Sequence, residues 1–156
     1  MKNAKTNAVR ILEQKKASFQ LHTYVPDGAL SGVEAAGILG LDPAVVFKTL
    51  VTTGRTGANY VFVIPVAEEL DLKKAAFAAG EKNISMLKSK DLLGLTGYIH
   101  GGCSPIGMKK QLATFIGRQA ESCPSIVVSG GKAGLHVELS LAELRKAVLF
   151  QIADLT

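Results

Sequence analysis

Two pairs of strand-like segments, each joined by a short connection, constrain this chain more than any other feature. Phe47–Thr53 (FKTLVTT) and Tyr60–Ile64 (YVFVI) are rich in β-branched and aromatic residues, with the polar stretch Gly54–Asn59 between them. Ser125–Ser129 (SIVVS) and Leu135–Leu139 (LHVEL) flank Gly130-Gly131, which reads as the turn between them. A connection of a few residues returns the chain antiparallel, whereas a parallel neighbour needs a crossover of about a dozen residues or more. The pattern predicts an α+β fold with a mixed or mostly antiparallel sheet, and argues against a doubly wound parallel one.

Helices punctuate these strands. Thr6–Lys16 places Ala8, Val9 and Leu12 on one face at helical spacing. Phe19–Tyr24 (FQLHTY) alternates as a half-buried strand, with His22 and Tyr24 opposite Phe19 and Leu21. Pro26-Asp27-Gly28 reads as a turn. Ser31 and Glu34 form a capping box for a helix to Leu39, stopped by Gly40. Asp42-Pro43 opens a short helical turn. Asp71–Ala79 reads as a helix with Leu72, Ala75, Ala76 and Ala79 inward, Lys73 and Lys74 solvated, and Gly80 as the stop. Ile84–Leu87 is a short strand, and Ser89 caps a short helix ending near Gly94. Leu112–Ile116 is a further strand. Ser140 and Glu143 form a second capping box for a helix through Ala147, and Val148–Ile152 closes the chain as a strand.

The 156 residues are expected to make one domain, 1–156, with a real core. An apolar content of 47% with 20% charge describes an ordinary globule, not a disordered chain. No apolar run reaches the ~18 residues of a membrane span. The basic start MKNAKTNAVR is not followed by an apolar signal segment, so a cytoplasmic protein is expected. Cys103 and Cys123 lack metal-ligand spacing and read as free thiols, with a disulfide left open. The net charge of +5 weights polyanion partners slightly above background.

Three stretches could carry chemistry: Lys48-Thr49, Gly101-Gly102 with Ser104, and Ser129-Gly130-Gly131-Lys132. Each is read as lying in, or at the end of, a strand. Lys48 stands among apolar neighbours, which puts it either at a sheet edge or facing a cleft. The loop in Gly97–Lys110 (GYIHGGCSPIGMKK) follows Tyr98-Ile99, read as a strand end. Its glycines allow sharp turns and close approach to a carboxyl or phosphate oxygen, and equally suit a purely structural turn. No Walker loop or GxGxxG fingerprint is present. His100 near Cys103 and Ser104 invites a nucleophile–base reading, but adjacency in sequence is not triad geometry. His136 is another possible base, or a plain strand residue.

The segments FQLHTY (19–24), VFKTL (46–50), IPVAEELDLKKAA (64–76), TGYIHGGCSPIGMKKQL (96–112) and VSGGKAGLHVEL (128–139) resemble, in order, the YbaK family of Cys-tRNA(Pro) deacylases. These are relatives of the editing domain of bacterial prolyl-tRNA synthetases. The resemblance implies a curved, mainly antiparallel sheet flanked by helices. It implies hydrolysis of misacylated Cys-tRNA(Pro), and of Cys-tRNA(Cys), in which the substrate's thiol attacks its own ester and leaves as a thiolactone. Lys48 would then anchor the tRNA 3′ end or offset charge at the ester. Gly101 and Gly102 would offer backbone donors. Tyr24, Thr49, Ser129 and Gly131 would bind the substrate. No metal or organic cofactor is implied. The implied partners are misacylated tRNA and prolyl-tRNA synthetase. Family members often carry Asp where this chain has His136 and Arg where it has Ala133, and many carry Pro and Asp at Ala113 and Gly117. A deacylase for another small aminoacyl group, such as Ala-tRNA(Pro), is the enzyme alternative. A non-catalytic module binding aminoacyl-tRNA or a nucleotide is the other.

Overall fold

The computed structural model describes residues 5–26 and 31–156. The expected turn at Pro26-Asp27-Gly28 therefore lies largely outside the described residues. Helix α1 is Asn7–Gln14 and strand β1 is Gln20–Thr23. Helix α2 (Gly32–Leu39) follows, then a 3₁₀ turn at Pro43–Val45. The hairpin β2 (Phe47–Gly54) and β3 (Asn59–Pro65) leads into α3 (Leu72–Ala79), β4 (Ile84–Met86) and α4 (Ser89–Thr96). The remainder is β5 (Ala113–Gly117), β6 (Ile126–Lys132), β7 (Leu135–Leu139), α5 (Leu141–Leu144) and β8 (Gln151–Ala153).

The strands form two sheets. One is antiparallel, in the order β1-β7-β6; the other has five strands in the order β4-β2-β3-β5-β8. β2 pairs antiparallel with β3 and β4, while β5 lies parallel to β3 and β8. Antiparallel pairs predominate, as the short connections require. A parallel bridge between Val46 and Val127 ties the sheets together.

Local chemistry sets most of the helix ends. Ser31 and Glu34 make the reciprocal capping box of α2, and Gly40 ends it in the left-handed conformation. Asp42 caps the Pro43 turn, and Asp71 accepts from the Lys73 and Lys74 N–H groups at the start of α3. The second capping box is half formed. The Ser140 hydroxyl accepts from the Glu143 N–H, but the Glu143 carboxylate turns to the Ser18 N–H and to Lys146, and α5 stops at Leu144. At α4 the cap position belongs to Lys88, not Ser89.

Three expectations need correction. Tyr98 and Ile99 are not a strand, because α4 runs on to Thr96 and ends at Gly97. Gly130-Gly131 is not the turn but a bulge inside β6; the chain reverses at Ala133-Gly134. On β1 the alternation holds with its faces reversed: Leu21 is exposed while His22 and Tyr24 turn inward.

The core is aliphatic. Leu12, Val61, Val63, Ile116, Ile126 and Val128 pack on one side of the five-stranded sheet, and Phe62, Ile64, Phe115 and Ala75 on the other. Each such side chain contributes about 1.5–3 kcal/mol on burial. The exposed ion pairs, such as Lys74–Asp154 at 3.2 Å, add at most about 1 kcal/mol each. Besides packing in the shared core, helix α1 is hydrogen-bonded to β6 through Thr6. The Thr6 hydroxyl accepts from the Val9 N–H at 3.2 Å and donates to the Gly130 carbonyl at 2.5 Å. Thr6→Ala removes both bonds and is expected to lower unfolding free energy by about 1–2 kcal/mol in urea titrations. Thr6→Ser keeps the hydroxyl and is expected to recover most of that loss.

Candidate active site

The sheet junction opens a cavity of about 440 Å³ between the start of β2 and the outer face of the three-stranded sheet. Tyr24, Lys48, Thr49, Gly101, Ser129 and His136 line it, brought from five separate segments. The three sequence stretches that could carry chemistry thus meet at one place. Lys48 sits within β2, opposite Ile64, and faces the cavity rather than marking a sheet edge.

Strand register explains the polar wall. On β1, β7 and β6, His22, His136 and Ser129 are direct cross-strand partners and share one face. The Tyr24 ring stacks on His136, with centroids 5.9 Å apart and planes 23° from parallel. Tyr24 is held there by its N–H, which donates to the Gly134 carbonyl at 2.9 Å. A Cβ on Gly134 would meet the Tyr24 carbonyl oxygen at 2.4 Å, so only glycine allows this approach.

Beside His136, on the same face of the sheet, lies a network that sequence reading missed. His22 Nε2 sits 2.7 Å from Glu138 Oε1, and the Ser125 hydroxyl donates to the other carboxylate oxygen. These bonds, from Ser125 first and then His22, hold the Glu138 carboxyl below its ordinary range. The signal was present: alternation in LHVEL puts His136 and Glu138 on one face, as alternation in FQLHTY does for His22 and Tyr24. Burial, and then the neighbouring His22, push the His136 imidazole below its ordinary value, so it is neutral at pH 7.

Two buried polar atoms on cavity-lining residues have no hydrogen-bond partner among the described residues: Thr49 Oγ1 and His136 Nδ1. Leaving such an atom unpaired costs about 1–3 kcal/mol. None of the ion pairs among the described residues involves Lys48.

The glycine loop divides its roles. Gly101 lines the cavity at φ +89°. Gly102 is buried, and its N–H donates to the Ile99 carbonyl at 3.0 Å, so in this conformation that donor is already engaged. A Cβ on Gly102 would lie 2.8 Å from the Lys132 Cα, which shows how closely the loop docks on the end of β6. Gly131 is likewise placed by packing. At φ +109° its Cα faces Thr6 and Tyr98, and its N–H donates to the Ser129 hydroxyl at 3.2 Å. The Tyr98 hydroxyl braces the loop by donating to the Ile106 carbonyl at 2.6 Å.

No nucleophile–base pair emerges among the described residues. Burial pushes the Cys103 thiol up to about 11, against a smaller opposing effect of a Thr96 hydrogen bond, so it stays protonated at neutral pH. Ser104 is fully buried, and its hydroxyl accepts from the Ile106 N–H. Both cysteines are free thiols, and no cluster of metal-type ligands occurs among the described residues. No helix of the described residues is long and apolar enough to cross a membrane.

The fold and this cavity define a class, a binding site of fixed donors and, among the described residues, one cation and no activated side-chain nucleophile. Residues 27–147 match the aminoacyl-tRNA editing domain family, and the chain belongs to it. A relative from Enterococcus faecalis, provisionally named Cys-tRNA(Pro)/Cys-tRNA(Cys) deacylase EbsC, is 44% identical over 153 residues, covering 97% of this chain and 93% of that protein. Among solved structures, a scaffold used for computational epitope grafting is 26% identical with a TM-score of 0.83, covering 98% of both chains. A protein provisionally identified as a trans-editing enzyme for prolyl-tRNA synthetase is 24% identical with a TM-score of 0.83, covering 99% of both, and shares the fold.

The depressed His136 value has a consequence for stability. As pH falls below about 6.5, the unfolded chain takes up this proton before the folded one, so stability declines with falling pH. The midpoint of thermal unfolding is expected to fall between about pH 7 and about pH 5. His136→Gln is expected to flatten that fall; parallel curves for the two proteins would contradict it.

Proposed function

We propose that this chain is a cytoplasmic trans-editing enzyme that removes cysteine from misacylated tRNA(Pro), and from Cys-tRNA(Cys). The observation that carries the reading is the cavity itself. It joins Lys48 to the unpartnered Thr49 Oγ1 and His136 Nδ1, while the nearby Cys103 thiol stays protonated. Such a site can orient an ester and offset charge on its oxygen, but it supplies no attacking group of its own. The family match and the provisional name of the Enterococcus relative support the same substrate class.

In this reading the cysteinyl thiol is the nucleophile. Its sulfur bonds to the ester carbonyl carbon, the carbonyl-to-ribose C–O bond breaks, and the thiol proton ends on the ribose oxygen. The products are a cysteine thiolactone and free tRNA. Lys48 opposes the negative charge that develops on the carbonyl oxygen. Tyr24, Thr49 and Ser129 fix the aminoacyl group, and Gly101 gives the backbone close approach. Gly102 and Gly131 support the walls. Prolyl-tRNA synthetase is the partner that would supply discrimination among tRNAs.

A second reading rests on His136. Its neutral imidazole has an unpartnered Nδ1 in the cavity wall and could accept a proton from water, which would open the site to alanyl esters. Ester decay in purified Cys-, Ala- and Ser-tRNA(Pro) separates the two. Acceleration of the cysteinyl ester alone is expected, since neither alanine nor serine brings a thiol. Loss of the alanyl ester would establish the water route, and no acceleration of any ester would overturn both.

Lys48→Ala is expected to slow the cysteinyl reaction by about 10²-fold or more, with the far-ultraviolet circular dichroism unchanged. Cys103→Ser is expected to leave the rate within about twofold, because a protonated thiol contributes little as a nucleophile. An inactive Cys103→Ser protein that remains folded would restore a protein nucleophile to the mechanism.

A further inference from the structure

A second depression, of about 320 Å³, adjoins the cavity and shares Met86 and Leu87 with it. Its floor is the pairing of β2 with β4, where Thr53 and Ser85 are direct cross-strand partners. Its other wall is the entry to α4, with Lys88, Lys90 and Asp91. Neither lysine is in an ion pair among the described residues, and both are exposed. Met86 is 48% exposed at the boundary.

We infer that this groove receives the single-stranded RNA immediately 5′ of the esterified nucleotide. The inference rests on the proposed reading, in which the terminal ester sits in the larger cavity. The strand attached to that ester must leave across one rim. The Met86-Leu87 rim leads into a depression carrying two cations against one carboxylate, and that balance suits a phosphodiester backbone. Ser85 presents a hydroxyl from a rigid paired floor, and the Thr53 hydroxyl, which accepts from Asn59 Nδ2 at 3.1 Å, can still donate its proton to a phosphate or ribose oxygen. Met86 gives a polarisable apolar surface on which a base can stack. No base edge is read by such a set, so the groove holds the strand and leaves the identity of the tRNA to other contacts.

The test compares two substrates: full-length Cys-tRNA(Pro) and 3′-O-cysteinyl-adenosine, which has the ester but no preceding phosphates. In Lys88→Ala/Lys90→Ala, KM for the tRNA is expected to rise about tenfold near physiological salt with kcat little changed. The slope of log(kcat/KM) against log[salt] is expected to flatten by about 1.4, which is about 0.7 for each lost phosphate contact to a single strand. The rate on cysteinyl-adenosine is expected to stay at the wild-type value. Lys88→Arg/Lys90→Arg is expected to restore the tRNA KM, since it keeps both charges. An unchanged KM and salt slope in the alanine variant overturns the groove while leaving the deacylase reading intact. An equal loss on both substrates also overturns it, because the lysines would then act on the cavity itself. A wild-type protein that cleaves neither ester overturns the deacylase reading and the groove with it.

Discussion

The site depends on one junction. Val46 and Val127 are both buried and bridge the start of β2 to β6, with Ala36 and Val66 packed around them. The Val66 N–H donates to the Val46 carbonyl at 2.9 Å, which fixes the same point from the β3 side. This contact sets the distance between Lys48, two residues along β2, and Ser129, two residues along β6. Neither sheet holds the full set of cavity groups: the larger supplies a cation and a hydroxyl, the smaller an imidazole, a phenol and a second hydroxyl.

His22, Glu138 and Ser125 bond to one another beside His136, on the same face of the three-stranded sheet. His136 lines the cavity, and it is neutral because burial and His22 both disfavour its proton.

Features governed by neighbours in sequence were legible. Ser31 with Glu34, Asp42-Pro43 and Asp71 mark helix starts because a cap is made within three residues. The β2–β3 hairpin followed from pattern, while the placement of Tyr24, Lys48, Thr49 and Ser129 at one cavity followed only from the resemblance. What failed was decided at long range. Tyr98 and Ile99 have strand-like composition, but Tyr98 is held by its hydroxyl bond to Ile106 and by the core around it, while Ile99 is left 59% exposed. Gly130-Gly131 looks like a turn, but the chain continues through it because β7 still pairs with Lys132. The true reversal uses Gly134, whose need for glycine comes from the Tyr24 carbonyl, a contact from another strand. Glu138 was overlooked because its importance comes from His22 and Ser125, which are remote or on the neighbouring strand.

The replacement at position 136 bears on how the cavity handles charge. The YbaK resemblance leads one to expect an aspartate there. With histidine, Lys48 is the one permanently charged group among the described residues that line the cavity. A carboxylate in the same low-dielectric space would offset part of that charge, and Coulomb energies grow several-fold as the effective dielectric falls from that of water. A neutral imidazole does not offset the lysine in this way, and in the proposed reaction that charge faces the carbonyl oxygen as it becomes negative. In that reading, charge stabilisation rests on one residue of β2 and positioning on the three-stranded sheet. The Val46–Val127 bridge and the core shared by the two sheets bring these residues to one cavity.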